Sequence, residues 1–502
     1  MSIRANVAAN YFGQIYAALV GFAFVPICIK YLGTEAYGLV SIFAILQSSA
    51  ALLDMGMKPT LAREMARYSS GARDLQSVKD LLRSTEILTA SVATLAGLAI
   101  CMGSHRLAVH WLAAERLSRA DIAHALTGMG LICALRFIEN VYVGTIIGLQ
   151  RQVAQAVVSC SMVTARAVGS IVVLALIAPT LDAFFSWQVL VSIISIPVYA
   201  TLAYRSLPSG PRTGTFSWSA VSSIWRFSGG LIATALLTLL LTQLDKLLLS
   251  VYLPLKEFSY YAVASILSSA LYMLSLPISA AFYPSFTELF TRGDLERLRL
   301  AYHRAAQLLA TIMGGAAIVL LVFPETALGA WTGDADITTH AAPLLRILAL
   351  GTLLNGFIGI PYQLQLATGW TSLSIKLNVA AIGIMAPVLF YVVPRSGAMG
   401  AAWVWVSLNV GYLLIYIYFL HRRLLPSEKW RWYGQDVLLP TLVAVLAAVG
   451  CRVISFTPTS KGSAIGLLCL VFLTVVLAGS LVCQSIRSQV RAVVDAALRR
   501  AR

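Results

Sequence analysis

The chain has 502 residues, 59% of them hydrophobic and only 12% charged, with a mean hydropathy of +0.80; a soluble domain carries about 25% charged residues, so a soluble globular protein is excluded. The formal charge of +16 does not indicate nucleic-acid binding, because the Lys and Arg residues lie in short segments between apolar runs, where orientation signals belong. Apolar runs of about 20 residues recur from end to end and alternating barrel strands are absent, which predicts an all-α polytopic membrane bundle.

In chain order, Arg4 precedes an apolar run ending in FVPICIKYLG, with no small-residue cleavage pattern, and reads as a retained first span. Spans are predicted near 9–30, 38–58, 84–102, 122–148, 155–178 and 183–203, then near 228–251, 259–283, 304–324, 343–367, 374–393 and 399–420. A last pair near 437–456 and 463–484 brings the total to about fourteen. An even number places both termini on one side, and the positive-inside rule makes that side cytoplasmic. Its basic clusters are Lys58, Arg63, Arg67, Arg73, Lys79 and Arg83, then Arg292, Arg297, Arg299 and Arg304, then Arg422, Arg423, Lys429 and Arg431. The segment 103–121, with Arg106, Arg116 and Arg119, runs against the rule. Most of the seven cysteines fall in apolar runs without CxxC spacing, so neither disulfides nor a metal site is expected.

The sequence also repeats. YLGTEAYGLVSIFAIL from Tyr31 falls against YLPLKEFSYYAVASIL from Tyr252, and behind each copy follows an amphipathic stretch, DLQSVKDLLR from Asp74 and DLERLRLAYHR from Asp294. Two six-span halves crossing in the same direction form a parallel repeat, with substrate sites expected between them. The predicted organisation is an N-lobe over 1–204, a cytoplasmic linker rich in Pro, Gly and Ser over 205–226, a C-lobe over 227–421, an extra helix pair over 422–486 and an amphipathic cytoplasmic tail over 487–502.

QLDKLLLSVYLPLKEFSYYAVA in the seventh span, YLGTEAYGLVSIFAILQSSAALLDMGMKPTLAREMA in the first pair and GLQRQ after the fourth resemble the polysaccharide flippase branch of the multidrug, oligosaccharidyl-lipid and polysaccharide exporter superfamily, over almost the whole chain. The resemblance implies a MATE-like, V-shaped bundle of two six-helix lobes in the bacterial inner membrane. Such a bundle moves a polyprenyl-pyrophosphate-linked oligosaccharide, for example an O-antigen or exopolysaccharide unit, from the cytoplasmic to the periplasmic leaflet by alternating access, without a bound cofactor. Membrane lipids and polysaccharide polymerase or ligase machinery are the further partners it implies. In the lipid II flippase branch the added helix pair lines a groove for the lipid tail.

Charges inside spans are costly, about 2.5–3.5 kcal/mol each on an insertion scale, and therefore mark candidate sites. Arg136 and Glu139 share a face of the fourth span with Asn140, and Arg166 sits near the middle of the fifth with Ser159 and Ser170 on its face. Two guanidiniums in one lobe suit a pyrophosphate, and sugar hydroxyls could be met by Asn10, Gln14, Gln47, Asn355, Asn378 and Asn409. The competing reading of Arg136 and Glu139 is an ion pair that locks helices together. Asp245 and Lys246, adjacent in the seventh span, point about 100° apart on a helix and are expected to seek different partners; with Glu139 and Asp54 they are the gating or coupling candidates. Phe24 and Val25 occupy the matching positions of the first repeat, so this helix position does not need charge in order to fold. Asp54 has a structural alternative, pairing with Lys58 or capping the turn that follows. No Walker A loop, GxSxG elbow or HExxH occurs, so the chain is not expected to be an enzyme. The alternative function is a cation-coupled drug or small-solute antiporter on the same fold, for which an acidic cation site is expected. A membrane glycosyltransferase, ligase or polymerase stands third, disfavoured by the shortness of the outer loops.

Overall fold

The computed structural model describes residues 3–52, 56–208, 213–454, 458–483 and 487. Asp54 and the amphipathic tail beyond Arg487 lie outside the described residues. The described backbone is helical throughout, with one isolated bridge between Ala113 and Pro254 and no strand among the described residues.

The first helices are α1 (Ile3–Leu32), α2 (Thr34–Leu52), α3 (Met57–Ser69), α4 (Leu75–His110), α5 (Arg119–Gly148), α6 (Gln152–Leu176), α7 (Leu181–Ser206) and α8 (Trp218–Tyr252). There follow α9 (Leu255–Ser269), α10 (Tyr272–Thr291), α11 (Leu295–Val322), α12 (Pro324–Thr332), α13 (Ala335–Phe357), α14 (Gly359–Ala367) and α15 (Ser372–Leu424). A short α16 (Lys429–Arg431) leads through a π-helical segment (Trp432–Leu438) into α17 (Leu439–Ile454), and α18 (Lys461–Val482) closes the series. Twelve of the described helices are long and apolar enough to cross a membrane. The expected number was about fourteen. The difference has two sources: α15 runs through two expected spans, broken only by a non-helical Gly397 (φ 53°, ψ −142°), and α2, on the second expected span, is not among the twelve.

The repeat is visible in the helix starts. Helices α2 and α9 begin 221 residues apart, at Thr34 and Leu255, and α4 and α11 begin 220 apart, at Leu75 and Leu295. Each of the latter opens on an aspartate cap: Asp74 accepts from the Ser77 amide at 2.9 Å and Asp294 from the Arg297 amide at 3.1 Å. An N-cap carboxylate satisfies donors that the first helical turn leaves open, which fixes both starts at the same repeat position.

By contacts the chain divides into two compact units, Met1–Ser259 and Tyr260–Arg502. In the first, α5 is the central helix, packed against α2, α3, α4, α6 and α7, and α8 belongs to this unit through α2, α3 and α4. The segment expected as a free linker is partly docked: Thr215 donates from its amide to Asp80 at 2.7 Å, and the Ser217 amide reaches Ser84 at 2.8 Å, both on α4. The turn after α4 is clasped too, since Glu35 accepts the amides of Glu115 at 2.6 Å and Arg116 at 3.1 Å. In the second unit α11 is central, with 67% of its apolar stretch buried against 22% for α4, its repeat partner. The extra pair explains the difference, because α17 and α18 both pack on α11.

Close approach of helices rests on small residues where there is no hydrophobic force between helices in lipid. Gly144 and Gly148 of α5 form such a site against α3: a Cβ on Gly144 would stand 2.5 Å from the Lys58 carbonyl, and one on Gly148 would fall on that of Ala62. Nothing lies within 4 Å of a Cβ built on Gly21. Gly148→Val is therefore expected to cost about 1–3 kcal/mol or more by overpacking and to lower the yield of monodisperse protein and its unfolding temperature in detergent, while Gly21→Val leaves both unchanged.

Candidate functional site

Three polar helix faces meet where α5, α6 and α7 pack. Helix α7 carries a stripe of Gln188, Ser192, Ser195 and Tyr199, all buried and spaced as neighbours on one helical face. Helix α6 contributes Arg166 and Ser170, one turn apart and buried, and α5 contributes Arg136 and Glu139. The contacts then follow: Gln188 donates to Ser170 at 3.0 Å, Arg166 Nη1 donates to Ser192 at 3.1 Å, and Ser195 donates to Glu139 Oε2 at 2.6 Å.

Glu139 lies at the centre. Its Oε1 stands 3.4 Å from Arg136 Nη1 and its Oε2 stands 3.6 Å from Arg166 Nη2. Two guanidiniums share one carboxylate, so the cluster carries one surplus positive charge. The ion pair of Arg136 and Glu139 read from the i, i+3 spacing is present, and Arg166 joins the same carboxylate from the next helix. The two arginines differ in access: 32% of the Arg136 side chain is exposed, against 9% for Arg166. Nε of Arg136 and both Nε and Nη2 of Arg166 are buried without a hydrogen-bond partner. An anion with several oxygens would satisfy such donors, and guanidinium forks suit phosphate oxygens best.

Other expected residues take different places. Asp245 and Lys246 do not diverge as their adjacency led us to expect: Lys246 Nζ donates to the Thr242 carbonyl at 2.9 Å and stands 3.4 Å from Asp245 Oδ1. The flexible four-carbon stem of lysine lets its head fold back beside the neighbouring carboxylate, which a count of helical angles alone overlooks. Of the amides expected to meet sugars, Asn355 donates to Asn409 at 2.7 Å and accepts from Tyr272 at 2.9 Å inside the second unit. Asn378 accepts from Tyr412 at 2.7 Å, and Gln14 bonds Asn10 at 3.0 Å on α1. Gln47 is half-buried on α2. The α7 stripe was missed in the sequence, although its spacing of four, three and four residues was a readable signal.

The family model described as "Polysaccharide biosynthesis protein" matches residues 3–290. The chain belongs to that family. A second model, MatE, matches residues 231–392. A Shigella flexneri protein named "Putative O-antigen transporter" is 20% identical over 412 residues, covering 81% of this chain and 94% of that protein. A solved structure titled lipid II flippase MurJ, inward closed conformation, superposes with a TM-score of 0.71 at 12% identity, covering 96% of this chain and 98% of that one. An inward-facing multidrug resistance MATE family transporter of the MOP superfamily gives 0.61 at 15% identity, with 83% and 96% covered. The fold is thus that of the multidrug, oligosaccharidyl-lipid and polysaccharide exporters, as the resemblance implied, and this member of the polysaccharide biosynthesis family is a multi-pass membrane protein.

Removing the shared carboxylate should isolate two cations in a buried seam. Glu139→Gln is expected to destabilise the protein by about 3–5 kcal/mol, the range for breaking one side of a buried pair. Glu139→Gln with Arg166→Met should recover much of that loss, as read by thermal unfolding in detergent; no recovery would show that the two groups do not compensate each other.

Proposed function

We propose that the protein moves a polyprenyl-pyrophosphate-linked oligosaccharide from the cytoplasmic to the periplasmic leaflet of the bacterial inner membrane, by alternating access of its two six-helix lobes. The observation that carries this reading is the cationic surplus around Glu139. A pyrophosphate brings several oxygens and at least two negative charges to a place where one carboxylate balances two guanidiniums. Arg136, the more exposed of the two, would make the first contact. Arg166, pinned by Ser192 and Glu139, would hold the field positive and offer its remaining donors as the head group arrives. The pull of the phosphate oxygens on Arg136 competes with that of Glu139, so binding would loosen a contact between helices, which is the coupling an alternating carrier requires.

The choice of cargo follows from chemistry. A cation-coupled antiporter needs an acidic surplus where its ion binds, and this cluster has the opposite sign. Family membership and a relative named for O-antigen transport support a lipid-linked glycan as the class of cargo. Asp245 and Lys246 are proposed as partners that separate and re-pair during the cycle, Glu139 as a gating contact for the reason given above.

Arg136→Gln tests the reading with the least damage to the fold, because the side chain is partly exposed and Glu139 keeps Arg166. Loss of one charge-assisted hydrogen bond is worth about 1.5–3 kcal/mol, so translocation should slow by about 10- to 100-fold. The measurement is transfer of a fluorescent polyprenyl-pyrophosphate oligosaccharide across inverted membrane vesicles, normalised to protein level. A wild-type rate in this variant would rule out the anionic head group as what the cluster recognises.

A further inference from the structure

The second unit holds a buried ionisable cluster that the flippase reading does not use. His303 on α11 is 2% exposed and stands between two carboxylates: its Nδ1 contacts Asp436 Oδ2, and its Nε2 lies 3.0 Å from Glu428 Oε2. Asp436, fully buried, also accepts from Gln307 of α11 at 2.8 Å. The backbone is shaped for this contact. The π-helical turn Trp432–Leu438 directs Trp432, Asp436 and Val437 inward, and π-turns inside helices occur frequently at functional sites. Just before it, Ser427 adopts φ 75°, a conformation rare for residues other than glycine, and the chain thereby returns Glu428 to α11.

The hydrogen bonds can be counted in protons. A neutral imidazole has one N–H and one lone pair, and an ionised carboxylate only accepts. With both ring nitrogens against carboxylate oxygens, one contact sets lone pair against lone pair unless an additional proton is present, on the ring or on a carboxylate. That proton belongs to the cluster as a whole. Among the described residues no other group donates to the ring. Arg299 Nε lies 3.8 Å from Glu428 Oε1 and Arg431 Nη1 lies 3.7 Å from Oε2, the oxygen that faces His303, while Lys429 borders the same turn. Tyr302 presents its edge to His303 and bonds His421 of α15 at 3.3 Å, Tyr433 bonds the Leu413 carbonyl at 2.6 Å, and Cys483 after α18 meets Thr311 at 3.4 Å.

We propose that His303, Asp436 and Glu428 form a proton-binding site that latches the turn leading into the C-terminal helix pair onto α11. Its ligand is a single proton, and the two ends of the latch are unequal. Asp436 is fully buried and shared with Gln307, so the N–H that remains after proton loss stays on Nδ1. The lone pair left on Nε2 then faces Glu428, whose side chain is 15% exposed and can follow Arg299 and Arg431 away. Proton loss therefore frees the turn between α15 and α16, and proton gain closes it. The inference stands apart from the nature of the cargo, because it concerns contacts within the second unit alone.

Two nitroxide labels, on Arg297→Cys at the exposed start of α11 and Ser427→Cys in the turn, read the latch in the full-length protein freed of its other cysteines. Distances between them are measured at a series of pH values from about 5 to about 9, because the proton is shared by the cluster. The expected result is a single short distance at the low end of the series and a longer population that grows toward the high end. In His303→Gln the response to pH should vanish. In Glu428→Gln a neutral amide can pair with the ring without the extra proton, so this variant should keep the short distance throughout. The same distance at every pH in the parent, or a pH response that persists in both variants, would overturn the proposal.

Discussion

A single carboxylate, that of Glu139, holds the first unit's central seam together. In lipid there is no gain from hiding apolar surface between helices, so specificity comes from close packing and from polar contacts that would be costly to leave unmade. Glu139 makes three such contacts, to Arg136 on its own helix, to Arg166 on α6 and to Ser195 on α7. Helices α5, α6 and α7 are thereby fixed in relative rotation. Without that carboxylate both arginines are unbalanced charges within their spans, and without the arginines the carboxylate is an unpaired buried charge. The placement of Arg136 at a partly exposed position is a consequence of this mutual dependence.

The second unit uses the same logic with other groups. Ser268 and Thr352 bond at 2.7 Å, Tyr272, Asn355 and Asn409 form a chain, and Gln365 bonds Tyr416. Of the amides whose presence in spans pointed to sugar recognition, Asn355 and Asn409 are thus drawn inward to each other, while Asn10 and Gln14 pair at an exposed position of α1. A polar side chain in an apolar run signals a buried contact, and composition cannot say whether the partner is a neighbouring helix or a ligand. The contrast with Arg166 is instructive, because an amide pair closes on itself while a guanidinium with five donors, held by one serine and half of one carboxylate, does not.

Much of the fold was readable from the chain. Span lengths, the repeat and the two aspartate caps follow from local rules that operate within a helical turn or two, and the starts at Leu75 and Leu295 fall where those rules put them. The pairing of Arg136 with Glu139 was readable for the same reason. What escaped the sequence depends on contacts between segments distant along it: Arg166 reaching the carboxylate of α5, the linker docking on Asp80, and His303 lying between residues 125 and 133 positions away. The pairing of Asp245 with Lys246 escaped for the opposite reason, since a rule about backbone angles was applied to a side chain long enough to evade it.

Comparison of the two repeats separates what the seam needs for folding from what it does not. Glu139 stands twenty residues after its helix start at Arg119, and Asn355 twenty residues after Ala335. At the same spacing Arg136 corresponds to Thr352. In the first unit the acid meets α7 through Ser195; in the second the amide meets α15 through Asn409. Counted from the helix starts, which here lie 216 residues apart and not 220, comparable crossings are made once with charges and once with neutral groups, and both close. Helix packing at this crossing does not require ionised side chains. Since each charge in hydrocarbon costs about 2.5–3.5 kcal/mol on the insertion scale, three in the first copy are more than packing needs, and the anionic cargo proposed above would supply a cause of the correct sign.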